Sequence, residues 1–62
     1  MMAQMSYNVQ NNVTGVCILT DAGVPVEYNT ELEAQTAAIY YTQVTGQQHI
    51  VVGPHPKPRP SA

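Results

Sequence analysis

Residues 30–46, TELEAQTAAIYYTQVTG, carry a helix start signal, a helical period and a stop signal that agree with one another. Thr30-Glu31-Leu32-Glu33 fits a capping box. In that motif the Thr30 hydroxyl accepts from the Glu33 backbone N–H, and the Glu33 carboxylate reaches back to the Thr30 N–H. Glu31 and Glu33 also sit where the positive end of the helix dipole favours carboxylates. Gly46 supplies the left-handed residue that closes a helix C-terminus. Between these ends Ala34, Ala37, Ala38, Tyr41 and Val44 recur at helical spacing and form a narrow stripe of mostly small side chains, suited to lying close on a sheet. Leu32 and Ile39 fall on nearly the opposite side, flanked by Gln35 and Gln43, with Tyr40 between the two stripes. One stripe can face the chain's own sheet; both cannot.

Upstream of the helix, residues 14–20, TGVCILT, form the most apolar run and have the length of a strand. Four apolar residues in succession, Val16 to Leu19, suit a central strand covered on both faces. Asp21-Ala22-Gly23 reads as the turn of a tight hairpin, with Gly23 at the position needing positive φ. The returning residues 24–28 alternate, with Val24, Val26 and Tyr28 on one face and Pro25 and Glu27 on the other. Pro25 cannot donate to a ladder and pushes this strand to an edge. Downstream of Gly46, His49-Ile50-Val51-Val52 is rich in β-branched residues and is ended by Gly53-Pro54.

These pieces predict an α+β fold of the form β-β-α-β. Three strands make an antiparallel-type sheet in the order 2-1-3, and a right-handed crossover lays the one helix on one face. The domain spans residues 14–53. Residues 1–13 precede it as an N-terminal arm, in which Tyr7 and Val9 alternate with Asn8 and Gln10 as in a short strand-like segment. Residues 54–62 follow as an extended tail with proline at every second position from Pro54 to Pro60, a spacing that lacks the P-x-x-P step read by SH3-type grooves. Met1, Met2 and Met5 are alternative starts.

A chain of 62 residues makes one domain at most and buries only about 60% of the surface its unfolded form exposes, so its stability is marginal without a staple or a partner. The single cysteine, Cys17, cannot form an intrachain disulfide and reads as a small buried hydrophobe. That leaves self-association as the extra source of stability. Asp21, Glu27, Glu31 and Glu33 make the body acidic, and Lys57 and Arg59 are confined to the tail. An acidic body argues against nucleic-acid binding. No apolar run approaches the roughly 20 residues of a membrane span, and residues 1–5 lack the charged and apolar regions of a signal peptide. The chain reads as cytoplasmic. From Ala34 to Pro56 no side chain carries a full charge, which leaves a face with little to discourage association.

Few residues could carry chemistry. His49 and His55 are six apart with Gly53-Pro54 between them, which is no metal-ligand spacing. His49 reads as a structural histidine. Glu31 and Glu33 are two apart, point to different sides of a helix and cannot form a catalytic pair. There is no Gly-rich phosphate loop and no nucleophile motif. The sequence therefore predicts no catalytic residue, no metal site and no cofactor.

The arrangement Asp21-Ala22-Gly23-Val24-Pro25-Val26, then Asn29-Thr30 with Glu33-Ala34, then Thr45-Gly46 with His49-Ile50-Val51-Val52, resembles small uncharacterised proteins of phages and prophages over residues 14–52. The resemblance implies a compact α+β module and brings no catalytic residue with it. The functional expectation is a non-catalytic accessory protein that homo-oligomerises and binds a host protein or sequesters a small ligand through Leu32, Gln35, Ile39, Tyr40 and Gln43. The alternative is a virion structural or decoration protein that uses residues 7–13 and 54–60 as extended contacts with neighbouring subunits.

Overall fold

A computed structural model describes residues 4–57. Its regular elements are strand β1 (Met5–Asn11), helix α1 (Glu31–Thr45) and strand β2 (His49–Pro56). The architecture is α+β, as the sequence implies, but the order is β-α-β, and the sheet has two antiparallel strands, β1 and β2. The helix lies where its local signals place it. Thr30 is the N-cap, with φ −131° and ψ 155°, and its hydroxyl accepts from Glu33 N–H at 3.1 Å. Gly46 closes the other end at φ 74° and donates its N–H to Thr42 C=O.

The three-stranded sheet in the order 2-1-3 does not form. Residues 16–19, expected as its central strand, are not a strand of the sheet. They touch β1 through a single bridge, Gln10 to Cys17, and two backbone bonds, Asn11 N–H to Val16 C=O and Ile18 N–H to Val9 C=O. The hairpin turn is present: Gly23 has φ 81° and donates to Thr20 C=O, and Thr20 donates to Val24 C=O. Beyond the Thr20–Val24 bond its arms meet at the Leu19–Pro25 bridge and the Val26 N–H to Ile18 C=O bond. The returning arm then reaches β1 at Tyr7 and Tyr28, which exchange both of their backbone bonds at 2.8 Å.

The centre of the molecule is therefore β1, which the sequence places in an arm. It is bonded to β2 on one edge and to the irregular 16–28 segment on the other. The physical reason lies in what each strand can cover. With one helix, only one face of the sheet is roofed by apolar side chains, so a run that is apolar on both faces gains little from the middle position. Val16 and Leu19 are in fact exposed, and Cys17 is half-buried. β1 instead turns Tyr7 and Val9 toward the helix and Ser6 and Asn8 away from it. The polar pair is buried nonetheless, by side chains distant in sequence.

The apolar core is small. Val9, Ala34 and Ala38 are buried, and Tyr7, Ile18, Tyr28, Ala37 and Val51 pack around them. Alanines at the contact let the helix axis approach the strands closely, as the small-residue stripe predicts. Tyr41 belongs to the same side and lies against the His49 ring at 5.8 Å. Burial pushes the Tyr28 phenol up in pKa, with Tyr41 adding to the shift. Val44, expected on this stripe, is exposed instead, because the buried arc is only wide enough for the alanines and Tyr41.

β2 contains one residue too many for a regular ladder. Val9 faces Val51 and Asn8 faces Val52, but Ser6 faces His55, so three steps on β2 match two on β1. The extra residue falls at Gly53-Pro54, whose peptide is cis and where Gly53 has φ 127°. A bulge of one residue reverses which face the following side chains take. Without it His55 would share the helix side with Val51; with it, His55 joins Ser6 and Asn8 on the opposite face. Pro54 to Pro56, expected in the tail, thus ends β2, and the remainder of that tail from residue 58 onward lies outside the described residues.

Candidate functional site

Two places hold side chains that the small apolar core does not use. The first is the outer surface of α1. Leu32 is 71% exposed, Ile39 60% and Tyr40 58%, and Gln35 and Gln43 are exposed beside them. Helical geometry brings Leu32, Gln35, Ile39 and Gln43 to one side, turned away from Ala34 and Ala38, with Tyr40 at its margin. Gln35 is held over the first turn by Glu31, whose Oε1 accepts from its Nε2 at 3.3 Å. The Tyr40 ring stands edge-on to Tyr41 at 5.2 Å, which fixes the direction of its exposed phenol. These are the five residues the sequence singles out, and all five lie on the surface of one rigid element.

The second place lies on the far side of the sheet and has no counterpart in the sequence expectations. Ser6, fully buried, donates its hydroxyl to Glu27 Oε1 at 2.5 Å. Asn8 donates its amide N–H groups to Glu27 Oε2 at 2.5 Å and to Val26 C=O at 2.7 Å. Those two bonds fix which end of the amide is nitrogen, so Asn8 Oδ1 accepts from His55 Nε2 at 2.5 Å. The same ring nitrogen is 3.6 Å from Glu27 Oε1. His55 Nδ1 faces Pro56 C=O at 3.0 Å, so both ring nitrogens point at acceptors. Lys57 extends the cluster: its backbone N–H bonds Gln4 C=O, and its Nζ donates to Asn29 Oδ1 at 3.3 Å. Three separate stretches of chain are thereby tied together on the polar side of β1.

Burial by itself would raise the Glu27 pKa. The bonds from Ser6 and Asn8 and the positive charge of His55 and Lys57 outweigh it, and the net displacement is downward from the ordinary value of 4.5. A carboxyl whose folded pKa lies below its unfolded value stabilises the fold when ionised. That contribution is complete above the unfolded value and is lost as pH falls through the folded one. Thermal melts followed by circular dichroism should therefore show the midpoint falling as the solution is acidified below about pH 4.5. Glu27→Gln should melt lower at neutral pH and show a weaker decline in acid.

Chemically this cluster is closed. The Ser6 hydroxyl is committed to Glu27 and not to a histidine, and both carboxylate oxygens are occupied. No buried side-chain polar atom among the described residues lacks a partner. It works as a latch between β1, β2 and residues 26–27. His49 has a structural setting too: it is buried, its backbone N–H bonds Thr42 Oγ1 at 2.9 Å, and its Nδ1 meets Gln47 C=O at 2.8 Å. Among the described residues there is no group of three or more His, Cys, Asp or Glu side chains placed to share a metal ion. No helix there is long and apolar enough to cross a membrane.

No family model, curated protein or solved structure matches this chain. The one signal that could have revealed the latch is the pairing of small polar residues Ser6 and Asn8 two apart on a strand, which reads equally well as a solvated face until Glu27 and His55 are placed against it.

Proposed function

We propose that this protein is a non-catalytic binding module that self-associates and engages a host protein target through the outer surface of α1. The resemblance to small uncharacterised proteins of phages and prophages supplies the biological setting of this proposal. The observation that carries it is the distribution of apolar side chains. Three hydrophobic residues are buried, whereas nine large ones are exposed among the described residues. Scattered exposed apolar residues are normal, but a chain with more of them outside than inside gains from covering them. Leu32, Ile39 and Tyr40 lie together on a rigid helix, bordered by the neutral amides of Gln35 and Gln43. That combination of aliphatic and aromatic anchors with uncharged hydrogen-bonding groups is the composition of a protein interface core.

The virion structural reading finds less support. It relies on residues 7–13 as a free arm, whereas Tyr7 to Asn11 are bonded to β2 on one edge and to residues 16–28 on the other.

Ile39→Asp tests the proposal. The side chain is exposed, so folding stability should change by no more than about 0.5 kcal/mol. Light scattering at high micromolar concentration should report an oligomer for the parent chain and a smaller species for the variant. A parent chain that scatters as a monomer would remove the self-association, and unchanged assembly and target binding in the variant would remove the assigned surface.

A further inference from the structure

Among the described residues β2 pairs with another strand along one edge only. Asn12 N–H donates to Gln48 C=O, while Asn11 N–H and Val9 C=O are used by residues 16 and 18 on the other side of β1. This sets the phase of the ladder. Ile50 and Val52 turn their backbone groups toward β1, and His49 and Val51 turn theirs outward. The outward His49 N–H is taken by Thr42 Oγ1. The N–H and C=O of Val51 have no protein partner among the described residues.

The bond from His49 to Thr42 also locates the helix relative to this edge. Thr42 lies over the outer side of β2, and Ile39 and Gln35, three and seven residues earlier, share its flank, with Leu32 next to them. The open strand edge and the apolar helix flank are thus one continuous surface. Edges of this kind are usually blunted by lysine or proline. His49 to Val52 contain neither, and Pro54 limits the open stretch to the residues before it.

We infer that a second copy of this chain docks on this surface, β2 to β2 about a twofold axis centred on Val51. The inference rests on the self-association proposed above and specifies its geometry. The unpartnered groups are backbone, so the occupant is a β-strand. An antiparallel pair centred on Val51 lets each Val51 N–H donate to the Val51 C=O of the other copy. The next pair, His49 with Gly53, would need the His49 N–H, which Thr42 already takes, so the pairing is confined to Val51. The same operation sets the two helices side by side on one face of a continuous sheet, with their Ile39 and Leu32 flanks facing each other. No fully charged side chain lies between Ala34 and Pro56; Glu31 shares the flank with Gln35 at the helix N-terminus, and the twofold runs the two helices antiparallel.

Amide hydrogen exchange on the full chain, run alongside sedimentation velocity, tests this. The expected result is a dimer at high micromolar concentration with a slowly exchanging Val51 N–H that loses its protection on dilution, while the internal Ile18 N–H changes little. Val51→Pro removes the outward-facing donor and also trims a side chain that packs against Val9, Ala34 and Ala38; it should give a monomer with the helix signal intact. The exchange measurement stands even where that variant folds poorly. A parent chain that stays monomeric overturns both the pairing and the self-association. A dimer whose Val51 N–H exchanges freely, and which Ile39→Asp but not Val51→Pro dissociates, overturns the strand pairing and leaves the helix-surface proposal standing.

Discussion

Replacing Asn8 by leucine is expected to cost about 3 kcal/mol of folding free energy, the larger part of it from groups left without partners. The two side chains share heavy-atom count and branching, with leucine the bulkier, so the change removes polar contacts and opens no cavity. Asn8 donates to Glu27 and to Val26 C=O and accepts from His55. Its loss strips one oxygen of a carboxylate and one backbone carbonyl, and frees a ring nitrogen aimed at an apolar group. Hydrogen bonds to charged acceptors contribute more than neutral ones, and a buried charge with its donors removed is destabilising beyond the bond itself. A small domain has only about 0.05–0.15 kcal/mol of net stability per residue to draw on. Urea unfolding should therefore place Asn8→Leu close to the unfolded baseline even in dilute denaturant. A midpoint within error of the parent would mean that the latch contributes little.

Gly53→Ala is expected to be as damaging, for a different reason. At φ 127° an L-residue is strained, which costs of order 1–3 kcal/mol. A Cβ there would also stand 3.0 Å from the Ser6 carbonyl oxygen and 3.3 Å from Tyr7 Cα. Both are main-chain atoms of the central strand and cannot swing aside. The bulge would have to open, and His55 would leave Asn8 and Glu27. Gly23→Ala is the control: φ there is 81°, and nothing lies within 4 Å of an added Cβ. Only backbone strain is expected at Gly23, about 1–2 kcal/mol. Chemical denaturation of the two variants should separate them, with Gly53→Ala the less stable. Equal losses would mean that the close approach of β2 to β1 adds nothing.

What could be read from the sequence was local, and what could not was long-range. Thr30 and Gly46 define the ends of α1 through bonds to residues three and four away, so the helix and its two sides were legible. The exposure of Leu32, Gln35, Ile39, Tyr40 and Gln43 follows from helical angle alone. Gly23 likewise marked its turn. The centre of the sheet was hidden because Ser6 and Asn8 read as solvent-facing. Their partners, Glu27 and His55, lie far along the chain. His55 was hidden twice over, since simple alternation puts it on the helix side and only the extra residue at Gly53-Pro54 turns it to the other. The apolar run at residues 16–19 was misleading for a related reason. Hydrophobicity ranks a segment for burial but does not say whether there is enough protein to cover it.

The position of β1 between β2 and the 16–28 segment decides the fold, the latch and the open edge of β2 together. Proton–proton nuclear Overhauser contacts in solution test it directly. Val9 and Val51 form a pair whose α-protons face each other, and Tyr7 and Tyr28 form one whose amide protons do. Strong contacts of those two kinds are the predicted result. Contacts between α-protons of residues 16–19 and those of β2, with random-coil shifts over residues 5–11, would contradict it.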